Sequence, residues 1–206
     1  MSNHFQKTLS LDSELKLDFD SAFEIPNPNF LHPQSVVQMI SSCRGFIFSH
    51  HSSKFQLWNP SIGAVKQIPL SPNELNNNYC FLYGFGYDQL RDDYLVVSVS
   101  NNPNSRLEFF SLRDNTWKEI EGTGYRYFSN TRRVGLVFNG GIHWVAETAQ
   151  WKNVILAFDL MERKLLEMPY PDGYNYNYPD ENCGFWVYGE FISLWVMGYD
   201  NQRVEI

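Results

Sequence analysis

Near the start of the chain, apolar residues alternate with polar ones at Leu9, Leu11, Leu15, Leu17 and Phe19. That is the two-residue period of a strand, not the period of a helix. A break rich in Pro and Asn follows at 25–29. From Cys43 onward the sequence is short apolar or aromatic runs separated by Gly, Pro, Asn and Asp. The runs Gly45–Ser49, Phe55–Trp58, Tyr94–Val99, Leu107–Leu112, Leu136–Phe138 and Val154–Phe158 predict strands. The best helical stretch, around Ser35–Ile40, spans only about two turns. The pattern predicts an all-β chain.

An internal repeat sharpens this. Trp58 is followed seven residues on by Val65 and ten on by Ile68; Phe110 by Trp117 and Ile120; Phe158 by Leu165 and Met168. Polar turns lie between, at Ser61-Ile62-Gly63, Arg113-Asp114-Asn115 and Met161-Glu162-Arg163. Each copy reads as a hairpin with one buried face. A further apolar pair precedes each copy, so two hairpins make a four-stranded unit that recurs roughly every 50 residues. This is the sequence pattern of a β-propeller of the kelch or WD type, with hairpins of a β-sandwich as the other reading. About three full units are expected. Part of a fourth begins at Cys183, and the chain stops within an expected strand at 203–206. The expected architecture is therefore an incomplete kelch-like propeller. Strand edges at Leu9–Phe19 and Phe191–Met197 are expected to be open to pairing with another chain.

Composition narrows the function classes. The 206 residues are 19% charged, below the roughly 25% of an average soluble domain, and 43% hydrophobic. A chain this long can bury a substantial core, and disorder throughout is excluded. The net charge of −7 argues against a phosphate-backbone footprint, so no nucleic-acid partner is expected. No apolar run reaches the about 18 residues of a membrane helix, and no membrane partner is expected. The start MSNHFQKTLSLDSEL lacks a secretion pattern. Cys43, Cys80 and Cys183 are far apart and form no CxxC pair. A cytoplasmic or nuclear location is expected, not a secreted one.

Catalytic signatures are sparse. His4, His32, His50, His51 and His143 show no metal-ligand spacing, and no nucleophile elbow or Walker loop occurs. Gly84-Phe85-Gly86-Tyr87-Asp88 precedes a strand and opens no helix, so its glycines read as points of close backbone approach. Asp88, Asp92 and Asp93 offer the oxygen ligands that Ca²⁺ takes, but Arg91 among them competes and aspartates also form turns. No metal, cofactor or catalytic residue is expected. Trp58, Trp117, Trp144 and Trp195 read as core. The binding candidates are aromatic loop residues: Tyr125, Tyr127 and Phe128 in one loop, and Tyr174, Tyr176 and Tyr178 in another. Amphipathic rings beside Asn and Gly are what recognition surfaces favour. Both loops join one unit to the next, which places them on the same rim.

A family resemblance adds to this reading. Ser42-Cys43-Arg44-Gly45-Phe46, Leu57-Trp58-Asn59-Pro60-Ser61, Gly84-Phe85-Gly86-Tyr87-Asp88 and Asp92–Val97 come in the order found in the plant F-box-associated interaction domain. Glu108–Leu112, Trp117–Ile120, Phe138–Trp144 and Ala157–Leu160 continue the series to Met168-Pro169. The chain thus resembles an F-box/kelch-repeat protein over about residues 41–206. The resemblance implies the substrate-recognition part of an SCF-type ubiquitin ligase, a non-catalytic module that captures a target protein. Residues 1–40 resemble no F-box and are expected to be a strand-and-linker segment. A Skp-type adaptor is therefore an expected partner only through an F-box in a parent chain. Alternatives are a truncated decoy that binds targets without recruiting a ligase, or a carbohydrate-binding propeller.

Overall fold

A computed structural model describes residues 37–51, 54–76, 81–100, 106–120, 124–127, 134–150, 152–170, 183–197 and 204–205. The Leu9–Phe19 pattern lies outside them. The chain divides into two compact units, Met1–Leu70 and Ser71–Ile206. The described part is almost entirely antiparallel sheet, and no described helix is long and apolar enough to cross a membrane.

The first unit holds one four-stranded meander: β1 (Val37–Cys43), β2 (Phe46–His51), β3 (Lys54–Asn59) and β4 (Ala64–Ile68), paired in that order. The helical stretch expected around Ser35–Ile40 is instead largely the start of β1. Its short-range pattern was ambiguous, and the ladder against β2, from Val37 opposite His51 to Cys43 opposite Phe46, decides in favour of a strand. Arg44 and Gly45 join these strands with φ of 46° and 81°, the left-handed pair that matches strand twist.

The second unit holds three sheets. Its chain opens on helix α1 (Pro72–Asn76), started by Ser71, whose Oγ accepts from the Glu74 N–H at 3.1 Å, with proline in the first helical position. The second sheet of the chain is β5 (Phe81–Asp88), β6 (Asp93–Ser100), β7 (Leu107–Ser111) and β8 (Thr116–Ile120), in that order. The third is built on β11 (Gly141–Glu147), β12 (Asn153–Asp159) and β13 (Lys164–Pro169). Two short segments, β9 (Arg126–Tyr127) and β10 (Leu136–Phe138), both pair with β11. The fourth comprises β14 (Cys183–Tyr188), β15 (Phe191–Met197) and β16 (Val204–Glu205). Here the expected open edge is partly closed, because Val196 and Met197 pair with β16.

The hairpin repeat is real and its register is regular. Trp58 faces Val65, Phe110 faces Trp117, and Phe158 faces Leu165. Phe55, Leu107 and Ile155 face Ile68, Ile120 and Met168. These two sets of pairs are three residues apart along the strand, so they project from opposite faces. The expectation of a single buried face is therefore corrected. Every residue of β6 and β7 is buried, so both faces of these strands are covered. Trp58 also departs from the core assignment, at 37% exposed. It shares its face with Ser49, Gln56 and Gln67, whereas Phe46, Phe48, Phe55 and Leu57 occupy the other. Trp144 is buried as expected, and Trp117 and Trp195 are half-buried.

The second and third sheets pack through one apolar cluster. Leu82, Leu95, Val97, Val99, Leu107 and Phe109 meet Ile142, Trp144, Ala146, Val154, Leu156, Phe158 and Leu160. The glycines of the Gly84-Phe85-Gly86 motif make this contact possible. A Cβ on Gly84 would lie 2.6 Å from Ile142 Cγ2, and one on Gly86 would lie 2.6 Å from Leu160 Cδ1. Both readings of the motif's glycines as points of close approach hold. Tyr83 anchors the same seam, since its carbonyl accepts from the Gly135 N–H at 2.7 Å and from Trp144 Nε1 at 3.3 Å.

Candidate functional site

Register gives the second unit two ends with different chemistry. At one end lie the hairpin turns. Asp88 faces Asp93, Ser111 faces Thr116, and Asp159 faces Lys164 across them. At the other end lie the connections β6–β7, β8–β9, β11–β12 and β13–β14.

The turn end is a closed polar network. Each turn finishes on a left-handed residue, namely Asp92, Asn115 and Arg163 at φ of 52°, 52° and 55°. Each is capped by the side chain that opens it. Asp88 Oδ1 accepts from the Leu90 and Arg91 N–H groups, Ser111 Oγ from Asp114 N–H, and Asp159 Oδ1 from Met161 and Glu162 N–H. The remaining carboxylate capacity is taken by arginine. Arg163 Nη2 reaches Asp88 Oδ2 at 3.0 Å and Asp93 Oδ2 at 2.9 Å, while Ser111 Oγ donates to Asp93 Oδ2 at 2.6 Å. Asp92 accepts from the Tyr87 hydroxyl. The aspartates that had offered calcium ligands are thus engaged by protein donors, and two of them, Asp88 and Asp93, tie the second sheet to the third through Arg163. Arg163 also sits over the Phe109 ring, 5.3 Å from its centroid.

The loop end carries Tyr125 and the described stems of the two connections. Ile120 and Tyr125 both pack on the cluster between the second and third sheets, so the connection between them leaves from and returns to the same apolar surface. Tyr170 and Cys183 repeat the arrangement on the next seam, where they pack with Val145, Leu194 and Phe185. Each connection runs from the last strand of one sheet to the first strand of the next.

Of the six candidates, Tyr125 is described in full. Its ring is half-buried and its hydroxyl donates to Glu167 Oε2 on β13 at 2.7 Å. Burial, the hydrogen bond and the Glu167 charge push the phenol up to about 12, so it remains a donor. Tyr127 lies on β9 and not in a loop; its backbone pairs with Ala146. A two-residue strand carries no readable period, which is why the aromatic run read as loop. Phe128, Tyr174, Tyr176 and Tyr178 lie outside the described residues.

The loop end also holds groups that composition did not single out. Arg106 Nη1 pairs with Glu119 Oε1 at 3.0 Å at its surface, and Glu147 is buried there. Charged pairs on adjacent strands leave no period-two signal beyond ordinary polarity. His143, by contrast, belongs to the scaffold. It is buried, with Nδ1 3.2 Å from the Leu136 carbonyl oxygen, and burial lowers its pKa. Among the described residues, no three His, Cys, Asp or Glu side chains gather as metal ligands. Among the described residues the loop end thus shows Tyr125 paired with Glu167 and Arg106 with Glu119 beside an apolar seam.

Comparison with known proteins places this architecture. The family model for the F-box associated beta propeller domain matches residues 4–181. Curated relatives from Arabidopsis thaliana include the F-box/kelch-repeat protein At3g23880, 27% identical over 65% of this chain and 39% of its own length. The F-box protein At4g22390 is 26% identical over 80% of this chain and 46% of its own, and the F-box protein CPR1 is 24% identical over 91% and 51%. The chain spans about half or less of the length of these relatives.

Proposed function

The chain belongs to the F-box associated β-propeller domain family, and we propose that it acts as the target-capturing module of an SCF-type ubiquitin ligase receptor. The observation that carries this is the family match over 4–181 together with relatives that are all F-box proteins. The module does no chemistry of its own and needs no cofactor. It works in the cytoplasm or nucleus, and ubiquitin transfer belongs to its partners. Kelch-like sheets form a rigid scaffold and hold the connections between them, where Tyr125, Tyr127, Phe128, Tyr174, Tyr176 and Tyr178 contact the target.

The location of that surface is supported by the pinning of both connections, Ile120 with Tyr125 and Tyr170 with Cys183, on the seams between sheets. A loop held at both stems loses less entropy when it binds. A Skp-type adaptor enters through an F-box in a parent chain.

The test is a two-part capture experiment on the chain as it stands, folded by near-ultraviolet circular dichroism. Proximity labelling in plant cells should enrich a set of proteins that disappears when Tyr174, Tyr176 and Tyr178 are all replaced by Ala, with the unfolding midpoint nearly unchanged. Collapse of the fold in that variant would make the rings core and remove the surface. A pull-down against the Skp adaptor, with an F-box-bearing relative as positive control, separates a complete receptor from a decoy that binds targets alone. Binding on a glycan array would replace the reading with a carbohydrate-binding propeller.

A further inference from the structure

One cross-strand row of the second sheet breaks its apolar pattern. The register aligns Tyr83 on β5, Ser98 on β6 and Glu108 on β7, next to the pair Val99 and Leu107 at the loop end. Residues opposite one another in neighbouring strands project from the same face, here the face turned away from the cluster shared with the third sheet. Helix α1 is tied over this row. The Tyr83 hydroxyl donates to Glu74 Oε1 at 2.6 Å, and the Asn73 N–H donates to Glu108 Oε2 at 3.4 Å.

Two groups in the row have more capacity than the protein uses. Ser98 is 2% exposed, yet its Oγ meets no hydrogen-bond partner among the described residues. Glu108 is 5% exposed, and its bond from Asn73 is long. No described cation pairs with Glu108, and Arg106, two positions before it, is taken by Glu119 at 3.0 Å. A buried carboxylate without a cation and a buried hydroxyl without a partner are both costly. The local field is negative as well. Burial raises the Glu74 pKa above the usual carboxylate value, the Tyr83 hydrogen bond opposes this, and the Glu108 charge adds to the rise.

We infer that this row and α1 form a binding site for a hard divalent cation, with Ca²⁺ the best match. The donors are oxygens only, namely the Glu74 and Glu108 carboxylates and Ser98 Oγ, with water completing the shell. Two carboxylates balance two positive charges. Mg²⁺ fits less well, because it demands near-ideal octahedral geometry and holds its water tightly. A proton would satisfy one carboxylate and leave Ser98 as it is, whereas one cation engages all three side chains. The ion takes no part in chemistry; it clamps α1 to the second sheet near the β6–β7 connection. Sequence spacing gave no sign of the site, because Asn73 and Glu108 lie 35 positions apart and the site holds two carboxylates, not three acidic ligands.

Calorimetric titration of the full chain with CaCl₂, after treatment with EDTA, tests this. Wild type is expected to show one saturable site at neutral pH. Glu108→Gln should weaken it by about tenfold or more, and Ser98→Ala by less. Ca²⁺ should raise the unfolding midpoint of wild type and leave that of Glu108→Gln unmoved. In EDTA, Glu108→Gln should be at least as stable as wild type, because it buries no unpaired charge. If Glu108→Gln loses its near-ultraviolet circular dichroism, Ser98→Ala, which keeps every charge, carries the test. A chain with no saturable Ca²⁺ site overturns the inference, as does binding that neither substitution weakens. Tighter binding of MgCl₂ than of CaCl₂ would overturn the choice of ion. A midpoint that follows pH but not Ca²⁺, flattened by Glu108→Gln, would give the site to a proton and overturn the cation.

Discussion

Arg163 Nη2 stands 2.9 Å from Asp93 Oδ2, although the two residues belong to different sheets and lie 70 positions apart in the chain. The carboxylate side chain is 1% exposed and the arginine side chain 14%. Asp88, also fully buried, shares the same guanidinium at 3.0 Å. One arginine at the end of a turn thus bridges two buried carboxylates on the neighbouring sheet, and Arg91 Nη1 adds a second contact to Asp88 Oδ2 at 3.0 Å.

Removing that arginine leaves Asp93 with backbone and hydroxyl donors only, while Asp88 keeps its pair with Arg91 Nη1 at 3.0 Å. Breaking a buried pair typically costs about 3–5 kcal/mol. Because Leu90, Arg91, Arg113 and Ser111 still donate to the two aspartates, Arg163→Met should lose about 2–4 kcal/mol in urea unfolding. Arg163→Gly should be milder than Arg163→Ala by about 1 kcal/mol, since φ is 55° at this position. Equal losses for the two would mean that the left-handed backbone stores no strain.

The seam glycine gives a second test. Gly84→Ala places a methyl group 2.6 Å from Ile142 Cγ2 and 3.0 Å from Trp144 Cζ2, and overpacking of this kind costs about 1–3 kcal/mol. Ile142→Ala removes the atoms it strikes. The double variant should therefore be more stable than the sum of the single losses predicts, which a double-mutant cycle measures directly. Strict additivity would mean that the two sheets do not meet at these atoms.

The turn caps should rank by what else they do. Ser111 Oγ both accepts from Asp114 N–H at 3.0 Å and donates to the buried Asp93 Oδ2, so Ser111→Ala removes a turn cap and leaves that oxygen with Arg163 Nη2 alone of its two side-chain donors. Asn59 Oδ1 only accepts from Ser61 N–H at 3.0 Å. Thermal unfolding should show Ser111→Ala losing about 2 kcal/mol and Asn59→Ala about 1 kcal/mol or less.

Stability should fall at high pH through Tyr125. Its phenol is raised from the ordinary value near 10 to about 12 in the folded chain. A raised pKa means that the folded state holds the proton more tightly, so this contribution is complete below pH 10 and lost as pH rises toward 12. The difference between wild type and Tyr125→Phe should be flat up to pH 9 and shrink between about 10 and 12. An unchanged difference across that window would break the link to Glu167.

His143 sets an acid limit of the opposite sign. Burial lowers its pKa, so the folded state favours the neutral ring. Its contribution is whole above about pH 6.5 and is lost as pH falls through the depressed value. Replacing His143 by Gln should remove that part of the acid sensitivity, read as a flatter midpoint-against-pH curve below pH 6.5.

How much of this was legible in the sequence depends on chain separation. Trp117 faces Phe110 and Leu165 faces Phe158 because a short polar turn joins them, and such turns leave a readable mark in Asn115 or Asp159. The aromatic connections were visible as composition. Their anchoring was not, because Tyr125 reaches Glu167 across 42 positions. Tyr127 entered a strand because β11 had an unfilled edge at Ala146, a fact with no trace in Arg126-Tyr127 itself.

The sequence by itself determined the all-β class, the hairpin boundaries and the four-sheet repeat, since each rests on period-two patterning and on turn residues that act over a few positions. Only the tertiary structure decided which faces are buried, why Gly84 and Gly86 must be glycine, and that Asp88 and Asp93 bind Arg163. Those properties are set by the sheet that stacks alongside. A strand's own alternation says that a face is apolar; it does not say what will cover it.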